Sequence, residues 1–233
     1  MAPHNLPTMG FSTQWNIRYK NNVHMSIWPW SDLVSSVMHF YKPSKTKIRV
    51  LELGCGAGAN IPFFLSLNTE YFGMDGSEII IKNLKKRFPK IKKNFVIGDF
   101  TKELPFAKTF DFIIDRSSIT HNSSEGIKKC LDLVQKKLKK NGKLICIDWF
   151  STRHFEYKNG HKTNDIFTKT DYKTGEFGGK LGNAGFVHFS NKKHLLNLFK
   201  NYKILTLDEK IIRKKNTNRN KTSASWKIIA QKN

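Results

Sequence analysis

Apolar residues run almost without a break through IRVLEL (48–53), YFGMD (71–75), FVIGD (95–99), FDFIID (110–115) and KLICIDWF (143–150). Strands apolar on both faces belong in a parallel sheet covered by helices. The stretches between them at 59–68, 77–88 and 123–140 read as helices. Ser77 is placed to cap the second and Ser123 or Ser124 the third, because a short hydroxyl accepts from the exposed first-turn amides. The third carries Ile127, Leu131, Val134 and Leu138 along one face and closes on lysines and Asn141-Gly142, a helix stop. Alternating strands and helices predict an α/β fold with a doubly wound, mostly parallel sheet and right-handed crossovers.

After Phe150 this rhythm breaks. Residues 151–190 are rich in Gly, Lys, His and aromatics, and read as an insertion before a helix at 191–200. YKILTLDEKII (202–212) and SASWKIIAQ (223–231) follow closely enough to form a C-terminal antiparallel strand pair. Ahead of the first strand, residues 11–41 form an appendage holding Trp15, Trp28 and Trp30. No linker is long enough to divide the chain, so residues 1–233 are expected to be a single domain.

Composition narrows the function classes. At 233 residues, with 39% hydrophobic residues and 18 Phe, the chain has enough apolar surface for a substantial core. No stretch reaches the ~18–20 consecutive apolar residues of a membrane span. The opening MAPHNLPTMGFSTQ lacks a basic start and an apolar run, so it is not read as a secretory signal. Cys55, Cys130 and Cys146 are too few and too scattered for a disulfide framework or a zinc site. A reduced, cytoplasmic protein without a metal is expected. The formal charge of +23 has two readings. It fits an anionic partner, and it fits a lysine-rich composition at permissive surface positions. Nucleic-acid readers lean more on arginine, whose planar fork grips phosphate twice.

The first strand runs into Glu52-Leu-Gly-Cys-Gly-Ala-Gly-Ala59, a turn that lets backbone approach a ligand at a helix N-terminus. Gly54 to Ala59 formally fits the dinucleotide pattern G-x-G-x-x-A. Glu52, however, would oppose a pyrophosphate and would suit a cationic ligand. Asp75 ends the second strand, where an acid can grip ribose hydroxyls. Asp99-Phe100 ends the third, suiting an adenine amino group and ring face.

This arrangement resembles the class I S-adenosylmethionine-dependent methyltransferases: E-x-G-x-G-x-G, an acid after the second strand, and an acid-aromatic pair after the third. The resemblance spans roughly residues 48–150, and the final strand pair fits that family's seven-stranded sheet. It implies S-adenosyl-L-methionine as cofactor and S-adenosyl-L-homocysteine as product. The implied cofactor-binding residues are Glu52, Gly54, Cys55, Gly56, Gly58, Asp75, Gly76, Ser77, Asp99, Phe100 and Asp115. It makes residues 11–41 a lid, 48–150 the cofactor-binding core, 151–190 an acceptor-capping insertion and 191–233 the terminal helix and strands.

The acceptor side should rise from loops at the strand ends, and Asp115-Arg116-Ser117-Ser118-Ile119-Thr120-His121 is such a loop. It lacks the [DN]-P-P-[YF] of base-amine methyltransferases and the Pro-Cys of cytosine-C5 enzymes. Its D-R-x-x-I-x-H form resembles small-molecule methyltransferases, including the thiopurine type. His121 is then a candidate base or a surface helix cap, and Arg116 an anion contact or a salt-bridge partner. Asp115 completes the catalytic candidates. Acceptor-binding candidates are Trp15, Arg18, Tyr19, Arg116, Ser117, His121, Trp149, Lys180 and His188. Trp15 reads also as packing, and the glycine-rich segment around Lys180 and His188 also as a solvated loop. WNIRY–WPWSDLV together with DRSSITHN is similar to methyltransferases of bacterial surface-polysaccharide gene clusters, the capsule O-methyl phosphoramidate type. The expected activity is O-methylation of a small anionic metabolite. The alternative is an RNA methyltransferase, or an RNA-binding protein on this fold, favoured by charge but lacking an RNP-like motif.

Overall fold

The computed structural model describes residues 11–22, 25–172, 185–215 and 221–232. Its main sheet contains β1 (Arg49–Leu53), β2 (Glu70–Asp75), β3 (Phe95–Ile97), β4 (Phe110–Arg116) and β5 (Leu138–Phe150). The short strands β6 (His161–Lys162), β7 (Thr168–Thr170) and β8 (Val187–His188) make a separate antiparallel sheet. β9 (Lys203–Lys214) and β10 (Lys221–Gln231) then return to the main sheet. Its order is β3-β2-β1-β4-β5-β10-β9. β1 through β5 pair in parallel, whereas β10 runs antiparallel to both β5 and β9. The strand order reverses between β1 and β4, and such a reversal opens a crevice at the carboxyl ends of the strands.

Alternation along each strand divides two cores. Leu51, Leu53 and Ile113 face α5 (Ser124–Lys137) and α6 (Lys192–Leu198), packing with Ile127, Leu131 and Leu195. Val50, Phe112 and Ile114 face the other way. There they meet Leu33 and Val37 of α2 (Ser31–Phe40), Phe64 of α3 (Ile61–Ser66), and Ile80 and Leu84 of α4 (Glu78–Arg87). Each such fully buried side chain contributes about 1.5–3 kcal/mol. Helix α1 (Gln14–Lys20) lies against α4 over the glycine loop.

Ser77 and Ser123 cap α4 and α5, accepting from Ile80 N at 3.4 Å and Gly126 N at 3.3 Å. The third helix ends earlier than its lysines and Asn141-Gly142 predict. Leu138 turns extended, is buried, and pairs with Phe110, so β5 starts there. Lys139 ties this segment down through both oxygens of Asp111, at 2.8 and 2.7 Å. Asn141, at φ 61°, sits within a register shift of the strand instead of capping a helix.

The 151–190 insertion leaves and rejoins the sheet at one place. Ser151 and Ser190 bridge in parallel, Ser151 N donates to Ala224 O at 3.0 Å, and Trp226 Nε1 donates to Ser190 O at 2.8 Å. Among the described residues no helix is long and apolar enough to cross a membrane.

Candidate active site

The glycine loop is held by the neighbouring strand. Gly54 N and Cys55 N both donate to Met74 O, at 2.7 and 3.1 Å. Gly56 N and Ser77 N donate to the two carboxylate oxygens of Asp75, at 3.0 and 2.9 Å. Gly54 has φ +65°, and a Cβ there would collide with Ser118. Glycine is therefore what lets the loop after β4 close onto the loop after β1, where Ser118 Oγ donates to Gly54 O at 3.3 Å. Gly58 serves packing instead: a Cβ would stand 2.7 Å from the side chains of Ile61 and Leu84.

Above these strand ends lies a cavity of about 520 Å³, within the usual size range of small-molecule sites. One end is lined by Glu52, Gly54, Cys55, Gly56, Asp75, Gly76, Asp99 and Phe100. Glu52 is 4% exposed and accepts from Asn60 Nδ2 at 2.7 Å and the Tyr71 hydroxyl at 2.6 Å. Burial outweighs these neutral donors and pushes its carboxyl up to about 7. Asp75 is raised to about 6, also by burial, against its two amide donors. Asp99 stays wetter, with Oδ1 accepting from Thr101 N at 2.9 Å and Thr101 Oγ1 at 2.6 Å. Buried acids forced toward neutrality gain from a cationic ligand and repel a diphosphate. The donor set therefore fits a cofactor carrying positive charge.

Beyond this end, the loop after β4 is braced from beneath. Asp115 is wholly buried and does not reach the cavity. Its Oδ1 accepts from Ser118 N at 3.0 Å and Ile119 N at 2.9 Å, and its Oδ2 from Trp149 Nε1 at 2.5 Å. Burial raises Asp115 to about 7. Expected at the cofactor and the acceptor, Asp115 and Trp149 instead lie buried outside the cavity lining and are bonded to each other. Ser117, at φ 56°, lines the cavity and donates to Asp148 O at 2.5 Å.

Arg116 also lines the cavity, pairs with Asp148 Oδ2 at 2.9 Å, and lies 3.4 Å over the Trp30 ring. Burial pulls its pKa down, opposed by Asp148. His121 stands on the same wall, with Nδ1 3.0 Å from Phe186 O and its ring edge-on to Trp15 at 5.0 Å. A carbonyl only accepts, so Nδ1 is the donor in this contact.

Trp15 and Tyr19 of α1 cover the cavity, and Ser77 Oγ ties the helix down through Asn16 Oδ1 at 2.6 Å. Gly58 and Ser77, expected at the cofactor, lie outside the cavity lining and support it. Arg18 is displaced too: its guanidinium packs 4.9 Å from the Trp15 ring, outside the lining. His188 is fully buried behind the site, 3.0 Å from Thr168 Oγ1 and 3.2 Å from His194 Nε2. It anchors the insertion and does not contact the cavity. Lys180 lies outside the described residues.

Sequence reasoning missed Phe150, His154, Lys210, Ser223 and Ser225, all of which line the cavity, as do Trp30 and Asp148. Lys210 pairs with Asp32 at 2.9 Å, and His154 Nδ1 accepts from Glu156 N at 3.2 Å. The two serines did carry a signal: they are polar positions in a strand with sheet neighbours on both sides.

Residues 50–142 match the family model of a methyltransferase domain. No curated protein matches the sequence. Among solved structures, a methyltransferase of S-adenosylmethionine-dependent type from Methanosarcina mazei superposes with a TM-score of 0.65 at 18% identity, covering 88% of this chain and 98% of that one. One from Anabaena variabilis gives 0.62 at 14% identity, over 100% of both chains. Magnesium protoporphyrin IX methyltransferase from Synechocystis, solved with bound S-adenosylmethionine, gives 0.54 at 11% identity, over 100% of this chain and 87% of that one. At these identities the structural likeness speaks for the fold. The domain match speaks for the chemistry, and the buried acids suit the cofactor. Residues 50–142 thus match a methyltransferase domain, and the chain as a whole has the fold of S-adenosylmethionine-dependent methyltransferases.

Proposed function

We propose that the enzyme methylates an oxygen of a small anionic acceptor, with His121 as general base. The observation that carries this reading is the His121–Phe186 contact, which makes Nδ1 the donor and so orients a ring that lines the cavity. When bound, S-adenosylmethionine supplies an electrophilic methyl group on a positively charged sulfur. Glu52, Asp75, Asp99 and Phe100, with the backbone from Gly54 to Gly56 and at Gly76, would hold it. Residues 11–41 act as its lid and the 151–190 insertion as the acceptor cap. As the acceptor oxygen gains the methyl, its proton passes to Nε2, and such proton transfer is worth roughly 10²–10⁴-fold. Trp15 and Tyr19 exclude water, while Arg116 and Ser117 bind the acceptor. Positive charge from Arg116 and Lys210, and +23 over the whole chain, favours an anion. The biosynthetic setting we infer, surface polysaccharide in the cytoplasm, rests on the resemblance of the WNIRY–WPWSDLV and DRSSITHN segments.

The test is a labelled-methyl transfer screen across sugar phosphates, phosphoramidates, nucleotide-linked sugars and tRNA. Label on an oxygen of an anionic small molecule, cut about 10²-fold or more by His121→Ala, is expected. A loss below about fivefold would remove His121 as base, and label on tRNA alone would replace the small-molecule reading with the RNA one.

A further inference from the structure

A second cavity, of about 320 Å³, opens on the opposite edge of the main sheet. It lies at the amino ends of β1 and β4 and the first residues of β5, whereas the candidate active site lies at the carboxyl ends. Its lining holds Lys42, Lys47, Lys139, Lys140 and Lys143 but a single acid, Asp111. Two segments bring these lysines together. One is the link from α2 to β1, and the other is the irregular stretch of β5 that separates Leu138 from Lys143.

The acid is already occupied. Both Asp111 oxygens accept from Lys139 Nζ, and Oδ2 also accepts from Arg49 N at 2.8 Å. Lys42, Lys47 and Lys140 have no carboxylate partner among the described residues. Lys143 is fixed by the sheet, paired with Phe112 on one side and Gln231 on the other. Its Nζ lies 5.1 Å from the Phe40 ring and donates to Asn141 O at 3.1 Å, and both of those residues line the cavity. Burial lowers the Lys143 pKa, and the neighbouring Lys42 ammonium lowers it further. Like charges crowded in this way repel unless an anion joins them.

We propose that this cavity is an anion site for linked phosphoryl groups, either free pyrophosphate or the diphosphate of a nucleotide. An ammonium on a flexible stem grips phosphate as a point charge. Ammoniums arriving from two segments suit a ligand whose charge is spread over more than one phosphoryl group. The cavity has the volume of the smaller ligand sites.

The test is calorimetric titration of pyrophosphate into the full chain in about 0.15 M salt, which screens exposed charges beyond about 8 Å. One saturable site per chain is expected. Lys42→Gln/Lys143→Gln should weaken it about tenfold or more, while S-adenosylhomocysteine affinity stays within about twofold. Lys85→Gln/Lys86→Gln removes the same charge from exposed positions of α4 and should change pyrophosphate affinity less than about twofold. Arg116→Ala, at the other cavity, should leave it within about twofold as well. Adenosine diphosphate binding more tightly than pyrophosphate would assign the site to a nucleotide, and weaker binding would assign it to the free anion. Heat that never saturates, equal weakening by the α4 variant, or a loss in Arg116→Ala alone would overturn the proposal. Inorganic phosphate binding as tightly as pyrophosphate would overturn it too. Without an anion, Lys42→Gln relieves repulsion and should not lower the thermal midpoint. A lowered midpoint would make Lys42 a structural residue and contradict the crowding on which the site rests.

Discussion

The two ends of the cavity are built by different means. At the cofactor end the wall is largely backbone. Gly54, Gly56 and Gly76 sit at the ends of β1 and β2, Asp99 follows β3, and Phe11, Tyr19 and Ser118 pack against the glycines. At the acceptor end the wall is a set of side chains: Trp15, Arg116, His121, His154 and Lys210. They come from α1, the loop after β4, the insertion and β9, and Phe186 orients one of them from farther along the chain. The first end is fixed once the sheet forms. The second exists only when distant segments dock, so it is the part free to differ between enzymes that share the fold.

Asp115 is the joint between the ends, and removing it should have the largest effect. Asp115→Ala leaves Ser118 N, Ile119 N and Trp149 Nε1 without their acceptor. At about 1–3 kcal/mol for each unmet buried donor, a loss of about 3–4 kcal/mol is expected after partial relaxation. Urea denaturation with an unchanged slope checks this. A loss below about 1 kcal/mol would mean the two ends are not coupled through this residue.

Gly54→Val strikes the cofactor end and its junction with the loop after β4. The left-handed backbone and the collision with Ser118 should weaken S-adenosylhomocysteine binding about 10²-fold, or about 2.7 kcal/mol, by calorimetry.

The raised acids predict a pH effect at the same end. Glu52 near 7 and Asp75 near 6 are largely protonated at pH 5.5 and must ionise to favour a cationic ligand. Both folded values lie above the unfolded ones, so their ionisation lowers the stability of the ligand-free protein as pH rises through 6–7. A bound cation recovers that loss. Affinity for S-adenosylmethionine should thus rise about tenfold between pH 5.5 and 7.0, with proton release on binding. A flat profile would show that these acids do not face the cofactor's charge.

Arg116→Ala strikes the acceptor end, and should raise KM for an anionic acceptor about fivefold to tenfold while leaving cofactor affinity within about twofold. The effect is moderated because Asp148 already neutralises much of the guanidinium charge.

A separate effect, of comparable size, concerns the anchor of the insertion. His188 is lowered to about 3 and His194 is also lowered, each mainly by burial. Unfolded histidine binds its proton near pH 6.5, whereas the folded pair resists it, so stability falls as pH drops below 6.5. A loss of about 1–2 kcal/mol by pH 5 is expected, and His188→Gln should flatten it.

This asymmetry decides what could be read from the chain alone. Glu52, Gly54, Asp75 and Asp99 are legible because a strand end fixes where the backbone goes, and each sits at one. Asp115 and Trp149 also lie near strand ends, yet they turn toward each other beneath the loop. The apolar pattern does not reveal on which side of the sheet's edge such a residue falls. His188 has aromatic neighbours in sequence, but its partners Thr168 and His194 come from β7 and α6, and they draw it into the interior. His154 carries no periodicity, and only the Ser151–Ser190 bridge brings it to the cavity. The early end of α5 was hidden because Leu138 satisfies the helical face and the strand face equally well.

The most direct test of a cavity with two separable ends is calorimetric titration of S-adenosylhomocysteine into the unmutated protein, Gly54→Val and His121→Ala. One site per chain, weakened about 10²-fold by Gly54→Val and changed less than about threefold by His121→Ala, is the predicted result. No binding by the unmutated protein, or equal losses in both variants, would contradict it.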